Sequence, residues 1–485
     1  MRRLFLSPLL LFLAACGGGG TASDPPTSSP APTPSTAAEG AARPDPPPFN
    51  IVILTLDACR ADALGCYGLD RPTTPAIDEV ARDPDSVIFR SHHVQGAWTK
   101  ASVASLFTGV YVKQHGVVLG HKDVQKKSDW RQYLVQGFSE DYDTLPERMH
   151  ALGFETFGVV KSYHLDRQYG FAQGFDTYLG PGDVHSDEDR VETFLRLAAD
   201  AKTRGRRYFS YVHLNSCHYP FEGRDRDPEY MGLFPTDFDE AARKRAGIDF
   251  ETTGLSRKIR KKGLTLTPED AAFARLIYEA KLRRVDRRQV TPFITGLKDS
   301  ELYDDTLILV TADHGEELYD HGGYAHGHGV WEEVVHVPLI VKFPKGRRPA
   351  ALGASVAAVT QAVDLLPTLT AFAGGPMPRG YPGADIFGGP PRSWSISETK
   401  RGWALIEDGW KAMGGKTGLM LFNLAEDPGE RNDLAPAEPE RAAAMQKRID
   451  ELLATYSDLG KSAHEFEREL EPEEEENLRS LGYLK

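Results

Sequence analysis

Acidic and histidine side chains follow two aliphatic runs of the sequence. Asp57 comes directly after Asn50–Leu56, and Asp313 and His314 come shortly after Thr306–Thr311. A carboxylate at the end of a buried strand is costly unless it meets a cation or caps the next helix, and either explanation fits Asp57 alone. The adjacent acid and imidazole favour a cation, because oxygen and nitrogen ligands on consecutive residues can turn toward one ion.

A glycine-rich segment adds three histidines, His321, His326 and His328, within eight residues. Packing explains such a composition poorly, whereas a loop that lines a site explains it well; a flexible surface loop is the alternative. Gly315 is expected to permit the bend that turns the preceding Asp-His pair toward the ion.

Thr99 lies where a loop enters a predicted helix over 101–107. Its hydroxyl would face the N-terminus of that helix, where amide groups and the helix dipole favour an anion. An oxyanion substrate would lie there, and simple N-capping is the alternative for a lone threonine.

Strand-like and helix-like segments alternate along the chain, which predicts an α/β fold with a mostly parallel central sheet flanked by helices. Because ligands collect outside the carboxyl ends of parallel strands, Asp57 and Asp313 are expected on one rim. The predicted strands include 50–56, 306–311 and 337–343, and the predicted helices include 101–107, 144–152, 187–204 and 268–297.

Composition changes divide the chain into a catalytic domain at 49–375, a small C-terminal α+β subdomain at 376–460 and a tail at 461–485. The subdomain is expected to contain a helix near 439–456 and short antiparallel strands at 394–396, 403–407, 410–412 and 420–423. The tail is expected to lie on the surface and to dock through 478–484.

The N-terminus has the pattern of an export signal, with Arg2 and Arg3 before an apolar run at 4–13 that is too short to span a bilayer. The sequence around Cys16 resembles a bacterial lipobox, so 1–16 is interpreted as a lipoprotein signal peptide with a lipidated Cys16; an ordinary signal with a chance cysteine is the alternative. Residues 17–48 are expected to be a disordered linker rich in Pro, Ser, Thr and Gly. These features predict an exported bacterial lipoprotein on the periplasmic or outer-surface face of a membrane.

Charge and cysteine content narrow the function classes. A net charge of -13 and a pI near 5.7 argue against nucleic-acid binding, which needs concentrated Lys and Arg. Cys59, Cys66 and Cys217 are an odd number beyond the signal, so disulfides do not organise the fold. The oligomeric state stays open at this point.

Several ordered motifs between about residues 50 and 433 together resemble the sulfatase family of the alkaline phosphatase superfamily. The resemblance implies an alkaline phosphatase-like fold and an ester hydrolase that binds a metal. The matching segments are 99–111 with 115–117, 218–220, the pair 313–314, 326–339, and 421–432.

Departures from the family pattern concern the nucleophile and the metal. Thr99 falls where sulfatases have the Cys or Ser that becomes formylglycine, and Ala58 replaces the second of two consecutive acids. The single acid is similar to phosphonate monoester hydrolases, and Thr with Asp-His is similar to nucleotide pyrophosphatases and membrane phosphoethanolamine and glycerophosphate transferases. The resemblance implies one divalent ion held by Asp57, Thr99, Asp313 and His314, with zinc or manganese favoured and calcium the alternative.

The resemblance also implies roles for the other site residues. Thr99 is expected to be the nucleophile, and Lys161, His218 and His326 to hold the ester oxygens or protonate the leaving group, with His326 first choice for the acid. Substrate-binding roles are expected for four further residues: Arg60, His115, His164 and His328.

The expected function is hydrolysis of sulfate or of phosphate or phosphonate esters, with a small-molecule, glycan or lipid ester as substrate. A phosphoryl-group transferase that uses the same threonine is one alternative. A catalytically degenerate lipoprotein that binds anionic glycans at the membrane is the other.

Overall fold

The computed structural model describes residues 47–118, 132–215, 217–376, 380–400, 402–415, 418–461, 463–469 and 472. All of the described residues belong to one compact unit. Cys16, the predicted signal peptide, nearly all of the predicted linker and the predicted docking segment 478–484 lie outside the described residues.

The strands alternate with helices for most of the chain, as the sequence pattern predicts. In chain order they are β1 (Asn50–Leu56), β2 (Ser86–His93), β3 (Gln132–Gly137), β4 (Glu155–Val160), β5 (Thr177–Leu179), β6 (Tyr208–Leu214), β7 (Thr306–Thr311), β8 (Glu317–Leu318), β9 (Tyr324–Ala325), β10 (Leu339–Lys342), β11 (Ser355–Gln361), β12 (Trp394–Glu398), β13 (Gly402–Glu407), β14 (Trp410–Gly415), β15 (Gly418–Asn423) and β16 (His464–Glu469).

The helices cover both faces of the sheet and fill the connections. They are α1 (Pro75–Ala81), α2 (Thr99–Thr108), α3 (Val112–His115), α4 (Leu145–Ala151), α5 (Asp187–Thr203), α6 (Pro228–Leu233), α7 (Glu240–Arg245), α8 (Gly254–Lys262), α9 (Pro268–Val285), α10 (Thr291–Asp299), α11 (Glu332–Val335), α12 (Leu365–Phe372) and α13 (Pro439–Thr455).

The central sheet contains eight of the described strands, in the order β11-β2-β10-β7-β1-β6-β4-β5. Adjacent strands are parallel except at β10, which is antiparallel to both β7 and β2. The predicted mostly parallel sheet is therefore confirmed. β1 lies between β6 and β7, and every residue of β1 is buried, which explains why its sequence is an unbroken aliphatic run.

Helix α5 illustrates how the sequence places a helix on this sheet. Ser186 caps its N-terminus by accepting a hydrogen bond from the Asp189 amide. Val191, Phe194 and Ala198 recur at helical spacing on its buried face, and the Phe194 ring stacks on that of Phe293 in α10 at 5.0 Å. These contacts bury the apolar face of α5 between the sheet and a neighbouring helix.

A second, antiparallel sheet follows the catalytic part of the chain, in the order β12-β13-β14-β15. Its apolar face packs against α13 through a cluster that includes Ile396, Leu405, Leu421 and Ile449. The small α+β unit expected after residue 376 is present, and its strands and helix lie within a few residues of the predicted bounds.

The C-terminal segment differs from the expected surface tail. Residues 464–469 form β16, which pairs with β3 in an antiparallel ladder. β16 pairs through its main chain with a strand more than 300 residues earlier, and such pairing leaves no periodic signal in a short charged sequence. The pattern of side chains therefore did not predict β16.

Two further findings concern the membrane and the thiols. Within the part of the chain that the structure describes, no helix is both long and apolar enough to cross a bilayer. Cys59, Cys66 and Cys217 are free thiols, in agreement with the expectation that disulfides do not organise the fold.

Candidate active site at the strand ends

The ends of β1 and β7 and the start of α2 bring four predicted ligand residues together. His314 Nε2 lies 3.3 Å from Asp57 Oδ1, 3.6 Å from Asp313 Oδ2 and 3.3 Å from Thr99 Oγ1. At most 2% of any of these four residues is exposed. The structure thus places the predicted metal ligands and the predicted nucleophile in one buried cluster.

The contacts of His314 suit a cation in this cluster. Its Nδ1 lies 2.8 Å from the Gly315 carbonyl oxygen, which can only accept, so Nδ1 bears a proton. Its Nε2 faces the Asp57 and Asp313 carboxylates, where either a second ring proton or a cation between these atoms offsets the repulsion of the electron-rich groups. A backbone carbonyl on the other ring nitrogen is also the usual support of a metal-bound histidine.

Burial makes the carboxylates harder to accommodate without such an ion. Burial and the nearby Asp313 carboxylate raise the pKa of Asp57 well above its ordinary value. Among the described residues Asp57 Oδ1 has no hydrogen-bond donor. Burial also acts to raise the pKa of Asp313, but His314 and His213 beside it hold that pKa below its ordinary value.

The distances suit a small ion with nitrogen and oxygen ligands. Ligand atoms about 2.0–2.2 Å from a tetrahedral ion lie about 3.3–3.6 Å apart, which is the range found around His314 Nε2. The residues therefore fit a divalent metal with mixed nitrogen and oxygen ligands.

His213 also belongs to this site and was not predicted. Its Nε2 lies 3.5 Å from Asp313 Oδ2 and 3.9 Å from Asp57 Oδ2. It lies in β6, where the ladder places it opposite Thr55 of β1, two residues before the first carboxylate. The available signal was the buried aromatic and aliphatic run 208–214, whose last polar residue is this histidine.

His326 and His218 lie next to the cluster. The His326 ring centroid is 4.1 Å from that of His314 and 4.7 Å from that of His218. His326 Nδ1 contacts Glu316 Oε1 at 2.8 Å, and the same glutamate accepts the Tyr219 amide through its other oxygen. Glu316, which was not predicted, therefore fixes the orientation of the His326 ring through Nδ1.

Burial and the neighbouring His326 lower the pKa of His218 to about 3. This histidine is therefore neutral at ordinary pH and suits hydrogen bonding better than charge neutralisation. It lines a cavity of about 520 Å³, and Lys161 lines the same cavity, where its Nζ contacts the His185 carbonyl oxygen at 3.3 Å. The structure thus brings these two predicted residues together at the edge of the site.

His164 is buried, and its ring contacts Trp98 edge to face at 5.4 Å. Trp98 is the residue that precedes Thr99 at the N-terminus of α2. His164 therefore packs behind the start of that helix.

Three of the predicted substrate-binding residues make contacts within the protein. The Arg60 guanidinium pairs with Asp62 and Asp320, each at 2.8 Å, so two carboxylates already occupy it. His115 is fully buried, where its Nε2 contacts Ser105 Oγ at 3.0 Å and its Nδ1 accepts the Val117 amide, and burial lowers its pKa to about 3. His328 Nδ1 contacts Arg260 Nη1 at 3.2 Å on the outer part of its loop. Substrate binding by Arg60, His115 and His328 stays a prediction.

Gly315 is needed for a reason other than the predicted bend. A Cβ atom there would lie 2.0 Å from the Glu333 carbonyl oxygen. The Gly315 amide donates to the Val334 carbonyl at 2.8 Å, and the Glu316 amide donates to Glu333 at 3.0 Å. Close backbone approach, rather than a turn, requires glycine here.

The fold and these contacts define an α/β protein with a buried metal-ligand cluster and a hydroxyl at the ends of its central strands. The family model described as Sulfatase matches residues 49–375. The chain belongs to the sulfatase family.

The relatives that match are distant. Iduronate 2-sulfatase of Homo sapiens is 24% identical over 351 residues, which is 61% of this chain and 60% of that protein. Arylsulfatase K of Gallus gallus is 28% identical, and the match covers 37% of each chain. The chain thus spans less than two thirds of the length of these relatives. The uncharacterized sulfatase YidJ of Escherichia coli is 23% identical over 84% of this chain and 87% of its own.

Solved structures share the fold. The phosphonate monoester hydrolase of Agrobacterium radiobacter superposes with a TM-score of 0.63 at 20% identity, covering 85% of this chain and 96% of its own. A protein solved in complex with its substrate D-glucosamine-2-N,6-O-disulfate superposes with a TM-score of 0.64 at 17% identity, covering 85% and 99%.

Replacement of Asp313 tests the cluster as a metal site. We expect Asp313→Asn to weaken divalent-ion binding at this site by about 100-fold or more, because the amide removes a negative ligand from a buried position. Isothermal titration of the chelator-treated protein with Zn²⁺ and Mn²⁺ measures the change. Asp299→Asn, at an exposed carboxylate of α10, is the matched control, and equal affinity in the two variants would contradict the assignment.

Proposed function

We propose that this chain is a metal-dependent hydrolase of sulfate or of phosphate or phosphonate esters, with Thr99 as its nucleophile. The observation that supports the proposal most directly is the 3.3 Å distance between Thr99 Oγ1 and His314 Nε2, inside the cluster that suits a divalent ion. A zinc or manganese ion, when bound by Asp57, Asp313 and His314, neutralises charge on the ester oxygens and lowers the pKa of the hydroxyl, whose proton goes to solvent.

The proposed reaction has two steps. Thr99 Oγ1 forms a bond to phosphorus or sulfur while the bond from that atom to the leaving oxygen breaks. His326 donates the proton on Nε2 to the leaving oxygen, and Glu316, on the opposite ring nitrogen, stabilises the charged imidazole. Water then cleaves the threonine ester, and His326 regains its proton from that water.

Threonine as nucleophile favours phosphate and phosphonate esters over sulfate esters. A formylglycine hydrate can expel sulfate by collapsing to the aldehyde, but threonine has no second oxygen on Cβ. The sulfated threonine would have to be hydrolysed by water. The similar fold of the Agrobacterium radiobacter phosphonate monoester hydrolase is compatible with this preference, and that likeness concerns the fold alone.

A polar ester of a sugar or similar headgroup is the proposed substrate class. The cavity beside His218 is lined mainly by polar and charged side chains, among them Asn215, Lys281 and Arg284. The names of two similar proteins refer to sulfated sugars. One is iduronate 2-sulfatase, and the other was solved in complex with a glucosamine disulfate.

Substitution of Thr99 tests the nucleophile. We expect Thr99→Ala to lower kcat/KM for p-nitrophenyl phosphate, its diester and its phosphonate ester by about 10³-fold or more, because no covalent intermediate can form. We also expect these esters to turn over faster than p-nitrophenyl sulfate in the unmodified protein.

Thr108→Ala is the matched control, because that hydroxyl lies at the other end of α2 and donates to the Ala104 carbonyl. Dominant sulfatase activity that survives in Thr99→Ala would exclude the proposed mechanism. Transfer of the phosphoryl group to an added alcohol, in preference to water, would indicate the transferase instead. Metal binding without turnover of any ester would indicate a glycan-binding protein.

Replacement of His326 tests the general acid. We expect His326→Asn to lower kcat about 10²–10⁴-fold for an alkyl ester and much less for a p-nitrophenyl ester, because p-nitrophenolate leaves without a proton. Steady-state rates for the two esters measure the difference. His150→Asn, at a half-exposed histidine paired with Asp176, is the control, and an equal loss with both leaving groups would show that His326 does not protonate the leaving oxygen.

We also propose that the chain is an exported lipoprotein anchored to a bacterial membrane, on its periplasmic or outer-surface face, through Cys16. The apolar run and lipobox-like residues before Cys16 support this proposal, and two or three acyl chains would give stable anchoring. We expect metabolic labelling with palmitate to mark the unmodified protein and not Cys16→Ala. Equal labelling of the unmodified protein and Cys16→Ala would contradict the proposed anchor. Weaker labelling of Cys66→Ala than of Cys16→Ala would also contradict it.

A further inference from the structure

A second group of metal-ligating side chains lies apart from the strand-end cluster. His93 ends β2, Glu332 begins α11 and His336 directly follows that helix. His93 Nε2 lies 3.2 Å and His336 Nδ1 lies 3.7 Å from the same atom, Glu332 Oε2. We propose that these three side chains bind a second divalent cation, and that the ion is Zn²⁺.

The tautomer of His336 supports a cation between these atoms. Its Nε2 lies 2.8 Å from the Arg90 carbonyl oxygen, so Nε2 bears the proton and Nδ1 presents a lone pair toward Glu332. At 3.7 Å, Nδ1 is too far from Glu332 Oε2 for a direct hydrogen bond, and a cation between the two atoms would contact both. The carbonyl of Arg90 also fixes the ring orientation, as it does for histidines that bind metals.

The spacing and the ligand types indicate zinc. The separations of 3.2 and 3.7 Å lie around the 3.3–3.6 Å expected for ligand atoms about 2.0–2.2 Å from a tetrahedral ion. Two imidazoles with one carboxylate suit Zn²⁺, whereas Ca²⁺ and Mg²⁺ prefer ligand sets made of oxygen. Glu332 and His336 are four residues apart across one helical turn, which brings both side chains to the same side.

The charges around Glu332 leave room for a cation. Lys411 is fully buried and pairs with Glu332 Oε1 at 2.9 Å and with Glu430 Oε1 at 2.7 Å. One ammonium between two carboxylates leaves one uncompensated negative charge. Lys411 occupies only Oε1 of Glu332, so Oε2 stays available to an ion and to the two histidines.

Solvent can reach the proposed ion. Glu332 and His336 line a cavity of about 550 Å³, and 27% of the His336 side chain is exposed. Water from this cavity can supply the fourth ligand of a tetrahedral zinc. His93, in contrast, is 1% exposed and holds the ion from the side of the sheet.

A third cluster, formed by Glu317, His321 and Glu333, does not suit a metal in the same way. His321 Nδ1 contacts Glu333 Oε1 at 2.7 Å, and its Nε2 contacts the Gly429 carbonyl oxygen at 3.1 Å. The 2.7 Å separation is shorter than the about 3.3–3.6 Å between ligand atoms of a tetrahedral ion, so a direct hydrogen bond to Glu333 occupies Nδ1. Its ring also stacks on Trp331 at 3.8 Å, a contact that favours the charged imidazole.

The second ion would stabilise the segment that supports the first site. The carbonyl groups of Glu333 and Val334 accept hydrogen bonds from the Glu316 and Gly315 amides, next to Asp313 and His314. A zinc ion that ties both ends of α11 to β2 would therefore limit movement of the strand-end loop. The role is structural, because no ligand of this ion belongs to the strand-end cluster.

Zinc stoichiometry tests the proposal on the purified full-length protein. The chain is stripped with a chelator, dialysed against buffered Zn²⁺ and analysed for zinc per chain by mass spectrometry. We expect His336→Gln to lose one equivalent relative to the unmodified protein and Asp313→Asn to lose a different one, so that the double variant binds none. If the strand-end site takes no zinc, the unmodified protein binds one equivalent and His336→Gln none. His150→Gln, at a half-exposed histidine paired with Asp176, is the control and should lose nothing.

A second measurement protects the test from a variant that fails to fold. X-ray absorption at the zinc edge of the Asp313→Asn protein should show two imidazole ligands and an oxygen shell, with zinc–ligand distances of about 2.0–2.1 Å. Unchanged zinc content in folded His336→Gln, or a zinc shell without imidazoles in Asp313→Asn, would overturn the proposal. Because the Asp313 and His336 variants remove different ions, failure of the second site is distinguishable from failure of the proposed catalytic site.

Discussion

The structure depends on the cost of burying two carboxylates beside a histidine. Asp57, Asp313 and His314 lie within a few ångströms of one another with almost no exposure to water. An isolated buried carboxylate is expensive, and two of them repel each other. A divalent cation would remove this cost, and the same charge would stabilise an anionic ester.

The surroundings of the cluster hold its ligands still. The two carboxylates follow neighbouring parallel strands, which share a register over their whole length. Gly315 and Glu316 are fixed by main-chain hydrogen bonds to the segment 333–334, and Glu316 in turn orients His326. Arg60, with Asp62 and Asp320, forms an ion-pair network immediately behind the first carboxylate. A site built on such elements is preorganised, and little rearrangement is needed when an ion or an ester binds.

The C-terminal part of the chain reaches the same region from another direction. Lys411 in β14 contacts Glu332, and Glu430 completes that buried pair. The small antiparallel sheet is therefore joined to the catalytic part by buried charges as well as by apolar packing. Replacement of Lys411, Glu332 or Glu430 alone would leave an unpaired buried charge. This contact therefore limits which substitutions the small sheet and the catalytic part can accept separately.

The sequence by itself determined the fold class and much of the catalytic cluster. Unbroken aliphatic runs that end in acids predict buried parallel strands with ligands at their carboxyl ends, and this placed Asp57, Asp313 and His314 correctly on one rim. The identity of Thr99 also limits the chemistry, because its side chain cannot form formylglycine. These inferences depend only on local patterns and on the general geometry of parallel sheets.

Only the tertiary structure decided which polar side chains share a site. His213 joins the cluster because the ladder between β1 and β6 places it opposite Thr55, and strand order cannot be obtained from one strand's composition. Arg60 lies near the site in sequence, yet an aspartate 260 residues away occupies its guanidinium. His93 and Glu332 meet across 239 residues in the same manner. Pairings at such separations follow from how the strands and helices pack, which no local pattern of residues specifies.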